Sequence, residues 1–245
     1  MTVHELGASV RAWWTRLWFE RRFGSHTEGP VDLESLGVAE AGRWRYEPSP
    51  WHVLRRVLPK REVGPDDVFL DMGSGMGRVL LQAADYRPRR VIGVEVSEEL
   101  NRIARENLDR NRARLKCDDF EVVTADACEY AVPDDVTIVF LNNPFIDEVF
   151  ERAIARVVDS LDRRPRRLRI AYRHPLEHDA LMATGRFELV RRWQRGQWRG
   201  RPRGTAIHLY EALAPSEVAV GGGPGEAGQG QRGPVPEQGD RPLAE

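Results

Sequence analysis

The sequence predicts a mostly parallel, doubly wound α/β sheet of seven strands. Three observations carry this reading. Short apolar runs alternate with stretches of helical periodicity from about residue 67 onward. A turn with three alternating glycines (Gly73, Gly75, Gly77) separates the first apolar run from the first helical stretch. Two strands close the regular part with no helix between them, a terminal hairpin on an otherwise alternating pattern.

At 245 residues the chain can bury a substantial core, as one large domain or two small ones. A formal net charge of -1 gives no global field toward nucleic acid or anionic membrane. Cys117 and Cys128 form neither a metal-ligand spacing nor a disulfide framework, and no metal site is expected. With no signal-peptide layout and no apolar run of membrane-spanning length, a cytoplasmic location is the expectation. The cations are almost all arginine, Lys60 and Lys116 being the only lysines. Codon bias accounts for this more simply than selection for anion recognition, so each arginine cluster is judged by its position. Nothing in the sequence speaks to oligomeric state.

Three domains are expected: a helical cap and loop over 1–60, a catalytic unit over 61–213 and a disordered tail over 214–245. Residues 8–23 read as a basic aromatic helix, with Trp14, Leu17 and Trp18 on one face, docked on the parent domain or lying on a membrane surface. Prolines 48 and 50 set an extended path, and a helical pattern resumes over 51–58. Strand 1 falls at 67–72 and a helix at 77–86. Strand 2, 91–96, ends in Glu95. Ser97 with Glu98 and Glu99 caps a helix whose face is Leu100, Ile103, Ala104 and Leu108. Strand 3 spans 120–125 and strand 4 spans 136–141, running into Asn142-Asn143-Pro144-Phe145. Phe150, Ala153, Ile154, Val157 and Leu161 mark the next helix. Strand 5, 168–172, precedes Arg173-His174-Pro175 and a short helix at 176–184. Strands at 187–193 and 206–213 flank an arginine-glycine loop. The tail is rich in Gly, Pro, Glu and Gln and too poor in large apolar side chains to offset its ordering entropy.

Open α/β sheets bind ligands beyond the carboxyl ends of their strands. Asp71, Glu95, Asp126 and Asn142 all fall there, on successive strands. Each acid can instead cap a helix. The glycine spacing, Asp-x-Gly-x-Gly-x-Gly, does not match the dinucleotide fingerprint, whose third glycine would stand at Arg78 or Leu80. A nicotinamide oxidoreductase is thereby disfavoured, although Glu95, 24 positions after Asp71, suits a ribose-binding acid in either class. The arginines at 87–90 and 163–167 precede strands at the opposite edge and read as solvated surface. Arg195, Arg199, Arg201 and Arg203 around Trp198 are a solvated hairpin or a contact for an acidic substrate.

The segment Asp71-Met-Gly73-Ser74-Gly75-Met-Gly77 resembles the first motif of class I S-adenosylmethionine-dependent methyltransferases. The resemblance implies a Rossmann-like sheet with an antiparallel last strand and S-adenosylmethionine as cofactor. It also implies that the Gly73–Gly77 turn with Ser74 cradles the methionine end, which Asp71 orients, while Glu95 accepts the ribose hydroxyls and Asp126 the adenine amino group. Tyr46-Glu-Pro-Ser49 resembles the loop that covers the cofactor in such enzymes, or is a proline-fixed linker. Asn142-Asn143-Pro144-Phe145 partly resembles the amine-methyltransferase element in which a side-chain oxygen holds the target N–H and an aromatic walls the site. The Asn-Asn pair, with Asp71–Gly77 and Gly93-Val-Glu95, resembles Dot1-like protein-lysine methyltransferases over roughly residues 45–175. His174 is the candidate general base or a structural histidine. The implied acceptor is an amine nitrogen on a protein or small molecule, with a nucleic-acid base third. A cofactor-binding module without catalysis stays open.

Overall fold

The structure is a computed structural model that describes Phe23, Gly24, residues 49–51, 53–194 and 206–214, and the backbone alone at 197–198 and 201–202. Residues 8–22 of the helix predicted over 8–23, Tyr46, most of the arginine-glycine loop and the tail beyond Ala214 lie outside the described residues.

The residues at the core of the sheet are apolar on both faces, which is why they pair as buried parallel strands. Strand β1 (Val68–Met72) is buried throughout, as are β4 (Ile138–Leu141) and β5 (Arg169–Arg173). β2 (Arg90–Glu95) lies between β1 and the partly exposed edge strand β3 (Phe120–Thr124). At the other edge β6 (Phe187–Gln194) alternates buried and open positions. A two-residue pair, β7 (Gln197–Trp198) with β8 (Arg201–Pro202), precedes β9 (Ala206–Ala212). The sheet has seven strands in the order β3-β2-β1-β4-β5-β9-β6, and only β9 runs antiparallel to its neighbours. The order therefore reverses between β1 and β4, opening the crevice where such sheets take ligands.

Helices cover both faces. Phe69 of β1 packs on one side with α1 (Val53–Val57) and α2 (Arg78–Ala84). Val68, Leu70 and Met72 face the other side, where Phe150, Ile154 and Val157 of α4 (Asp147–Arg163) meet them at the predicted spacing. A short α5 (His178–Ala183) adds Leu181 to that layer. α2 ends earlier than periodicity suggests, because Asp85 closes it and Arg87 turns left-handed at φ 87°.

Helix α3 (Glu98–Asn111) begins as predicted, with Ser97 Oγ accepting the Leu100 N–H. Its buried face is not wholly the apolar one expected. Leu100, Ala104 and Leu108 are buried, but so are Asn101, Asn107 and Asn111, whereas Ile103 is only partly covered. Each asparagine is buried with its amide donating to backbone carbonyls, which satisfies a polar group that burial would otherwise leave unpaired. Asn101 Nδ2 reaches Glu95 O at 3.0 Å, Val123 O at 3.1 Å and Thr124 Oγ1 at 2.8 Å, tying β2, β3 and α3 together. Asn107 Nδ2 donates to Met76 O at 3.0 Å in the glycine turn.

The arginines ahead of β2 and β5 are not simply solvated. Arg166 is half-buried and donates to the carbonyls of Val136 (2.6 Å), Ser160 (2.9 Å) and Arg164 (2.9 Å), and this desolvation lowers its pKa. Arg90 pairs with Asp135 at 2.9 Å. Their charge serves to satisfy loop carbonyls and acids, which a count of like charges in sequence does not show.

Replacing Asn101 with alanine should destabilise the fold by about 1–3 kcal/mol, the loss of a buried amide that ties β2, β3 and α3 together. Urea denaturation measures it, and a change of only a few tenths would remove Asn101 from its place as a latch.

Candidate active site

The turn after β1 needs its glycines for two different reasons. Gly73 (φ 85°) faces Pro144, and a Cβ there would stand 2.7 Å from the proline Cβ. The backbone of the first turn thus lies directly against the Asn-Asn-Pro-Phe segment after β4. Gly77 (φ 79°) lets α2 approach α3, since its Cβ would come 3.0 Å from that of Ala104. Gly75 donates its N–H to Glu95 Oε2 at 3.1 Å. The same carboxylate accepts the Ser97 N–H through Oε1 at 3.1 Å. One acid thereby couples the turn after β1 to the turn after β2.

These loops enclose a cavity of about 350 Å³ at the switch point. Asp71, Gly73, Ser74, Glu95 and Asp126 line one end, and Asn142, Asn143, Pro144, Phe145 and His174 line the other. Ser49 lies in the wall as well. Eleven of the residues picked out in sequence are therefore brought to one cavity. Gly75 and Gly77 stand outside the lining and act through the turn they shape. Tyr46 lies outside the described residues.

Asp71 is 2% exposed, and burial, followed by the nearby Glu95 charge, raises its pKa well above the ordinary aspartate value. Asp126 folds its own loop, its Oδ1 accepting the Cys128 N–H at 2.9 Å. The asparagine pair is held from β5. Arg173 Nη1 donates to Asn142 Oδ1, and because arginine can only donate, the amide orientation follows. The Tyr172 hydroxyl accepts the Glu177 N–H at 3.4 Å and gives its own proton to Asn143 Oδ1 at 3.2 Å. Asn143 (φ 49°) and His174 (φ 53°) both adopt left-handed backbone, the kind of local strain that collects at functional loops. His174 is exposed at the cavity, its N–H bonded to Ala206 O at 3.0 Å.

Four positions matter here to which the sequence reading gave no role. Arg78 and Arg173 line the cavity, and Tyr172 lies behind it. Gly93 lies under Ser74, for its Cβ would stand 2.8 Å from Ser74 Oγ and 2.6 Å from Leu80 Cδ1. Only Gly93 left a signal, a glycine inside an apolar strand. Among the described residues no cluster of three or more His, Cys, Asp or Glu can hold a metal, and no helix is long and apolar enough to cross a membrane.

The cavity suits an adenosyl-sulfonium cofactor on three structural points. Gly73 presents backbone without a side chain in the wall, and carboxylates rather than a phosphate cradle dominate its end of it. The buried Ser74 Oγ has no hydrogen-bond partner among the described residues. Sheet order and cavity position are those of the Rossmann-like fold of class I S-adenosylmethionine-dependent methyltransferases. Residues 46–170 match the family model for the histone methylation protein DOT1, and the chain belongs to that family.

Relatives agree on the class while differing in what they act on. A protein-lysine N-methyltransferase of Saccharolobus islandicus is 39% identical over 67 residues, 27% of this chain and 42% of the relative. A "probable ribosomal RNA small subunit methyltransferase A" of Methanopyrus kandleri is 33% identical over 94 residues, 38% and 31% of the two chains. The matched segments thus span less than half of either relative's length. The fold of the N-methyltransferase NodS from Bradyrhizobium japonicum, solved with S-adenosyl-L-homocysteine, superposes with TM-score 0.51 at 14% identity, over 73% of this chain and 97% of that one.

The raised pKa of Asp71 has a stability consequence with a definite sign. Its folded state favours the protonated acid, so its contribution is fully present in acid and is lost as pH climbs through the raised pKa. Asp71→Asn should therefore match the wild type near pH 4 and become progressively more stable than it toward pH 8. Melting curves across that range check this, and a stability difference independent of pH would contradict it.

Proposed function

We propose that this protein transfers a methyl group from S-adenosylmethionine to an amine nitrogen carried by a protein or a small molecule. The observation that carries the proposal is the single cavity in which Asp71, Glu95 and Asp126 face Asn142 to Phe145 across the switch point. Residues 61–213 form the catalytic unit on this reading, with a cap before it and a tail after it.

When bound, S-adenosylmethionine supplies an electrophilic methyl group on a sulfonium, ready for in-line displacement by a lone pair. The chain's own work is to hold, align and desolvate. Glu95 holds the ribose hydroxyls with lone pairs beyond those given to Gly75 and Ser97. Asp126 accepts the adenine amino group, Asp71 orients the methionine end, and Ser74 Oγ gains the partner it lacks within the protein. Phe145, 5% exposed, excludes water from the line of transfer. Asn143 Oδ1, already oriented by Tyr172, retains a second lone pair for an N–H of the acceptor. Asn142 braces it from the end of β4, and His174 at the cavity takes up the proton released from the amine. The lysine-directed relative and the DOT1 model support a protein acceptor. The ribosomal RNA relative supports a base as the rival acceptor.

Methyl-tritiated S-adenosylmethionine incubated with fractionated cell extract tests the assignment, with a Glu95→Ala, Asp126→Ala double variant as blank. Label in the protein fraction supports a side-chain amine, and label in nucleic acid transfers the assignment to a base. Cofactor binding with no label in any fraction favours a binding module. Glu95→Ala alone should weaken S-adenosylmethionine by about 1–3 kcal/mol in calorimetry, the loss of hydrogen bonds to a charged group. Asn143→Ala should lower turnover by roughly a hundredfold through lost alignment while cofactor affinity stays near the wild type. Parallel loss of both would place Asn143 in the cofactor site instead.

A further inference from the structure

Arg78 is the first residue of α2, immediately after Gly77, a place where a solvent-facing side chain would be ordinary. Instead it is 8% exposed and lines the cofactor cavity. Its Nη1 donates to Ser49 O at 3.1 Å, and its guanidinium lies over the Trp51 ring, 5.0 Å from the centroid. Ser49 is the one residue ahead of α1 that reaches the cavity among the described residues. Trp51 in turn stacks on Phe23, centroids 5.5 Å apart and planes at 13°. The Phe23-Gly24 backbone is pinned to the far end of α3, where Asn111 Nδ2 donates to Phe23 O and Arg110 Nη1 donates to Gly24 O at 2.8 Å.

We propose that Arg78 is a positioning residue that latches the segment before α1 onto the glycine-turn helix, closing the wall at Ser49 and setting how long the cofactor stays bound. The proposal rests on the cofactor reading above. Both contacts suit a guanidinium. A desolvated cation over an indole is worth more than an exposed one, and a charged donor makes the stronger hydrogen bond to a carbonyl. A wall formed in advance spares the bound state the entropy of ordering it, an advantage expressed mainly in slower release. Sequence position gives the device its economy. The residue that follows the last glycine of the turn also grips the segment ahead of α1, so turn and wall are joined directly.

The test measures dissociation of S-adenosyl-L-homocysteine from the full chain by displacement, alongside melting temperature, for Arg78→Met, Arg78→Lys, Trp51→Leu and the Arg78→Met, Trp51→Leu pair. Release should quicken by roughly tenfold in Arg78→Met, as for a lost hydrogen bond from a charged group. Trp51→Leu, whose side chain is outside the cavity lining, should quicken it comparably. The pair should add little to either single change, and Arg78→Lys should restore most of the slow release. A lower melting temperature with unchanged release in Arg78→Met would overturn the proposal. So would faster release in Arg78→Met but not in Trp51→Leu, since Arg78 would then hold the cofactor directly. If Arg78→Met does not fold, Trp51→Leu decides by the same release criterion. Failure of the wild type to bind S-adenosyl-L-homocysteine at all would instead defeat the cofactor reading.

Discussion

The Glu95 carboxylate is the constraint from which the rest of the site follows. Its two oxygens accept from Gly75 and from Ser97, so the turn that leaves β1 and the helix that follows β2 share one anchor. The peptide carbonyl of Glu95 accepts from Asn101 one turn into α3, which fixes the same residue from behind. Glu95 at the end of β2 is buried to 9% exposure. An acid so placed needs hydrogen bonds from backbone N–H groups, because an unmatched charge in that environment is costly. A turn whose glycines free its amides to point inward supplies one of them. The glycine pattern and the acid are thus two halves of one electrostatic arrangement.

That arrangement strains its neighbour. Asp71 lies beside Glu95 with almost no access to water, and its raised pKa records both facts. Two carboxylates facing one cavity, one of them resisting ionisation, make a wall that a cation entering the site would relieve. A sulfonium and an ammonium on the same ligand match that need. The affinity of the site for its cofactor and the pH response of the empty fold therefore have a common origin.

The sequence showed most of the framework because strands buried on both faces announce themselves as apolar runs. The switch point needed only the order of those runs and the glycine turn between the first two elements. Asp71, Glu95, Asp126 and Asn142 were legible because polar residues at successive strand ends have few structural reasons to be there. Residues whose partners lie far along the chain escaped. Asn101, Asn107 and Asn111 looked like the polar side of an amphipathic helix, and only the folded backbone shows the carbonyls they serve. Arg166 looked like one of a solvated run for the same reason. Tyr172 read as the apolar end of β5 until its hydroxyl could be seen against Asn143, 29 residues away.

The end of the cavity opposite the acids is organised on a different principle. There the polar side chains are held by β5 rather than by the glycine turn, with Tyr172 and Arg173 directing Asn143 and Asn142. Left-handed backbone at Asn143 and His174 brings both loops over the crevice, and the contact of Gly73 with Pro144 sets how near they come to the cofactor turn. On the proposed reading, the cofactor is held from β1 to β3 and the acceptor from β4 and β5. Beyond the β1–β4 ladder, the loops of the two halves meet where Gly73 faces Pro144. A family can hold the first half constant while changing the second, and relatives that share stretches of this sequence but are named for lysine and for ribosomal RNA are what such a division would produce. Substitutions at the ends of β4 and β5 are accordingly where a change of acceptor would leave its mark, and Glu95 with its two backbone donors is where none should appear.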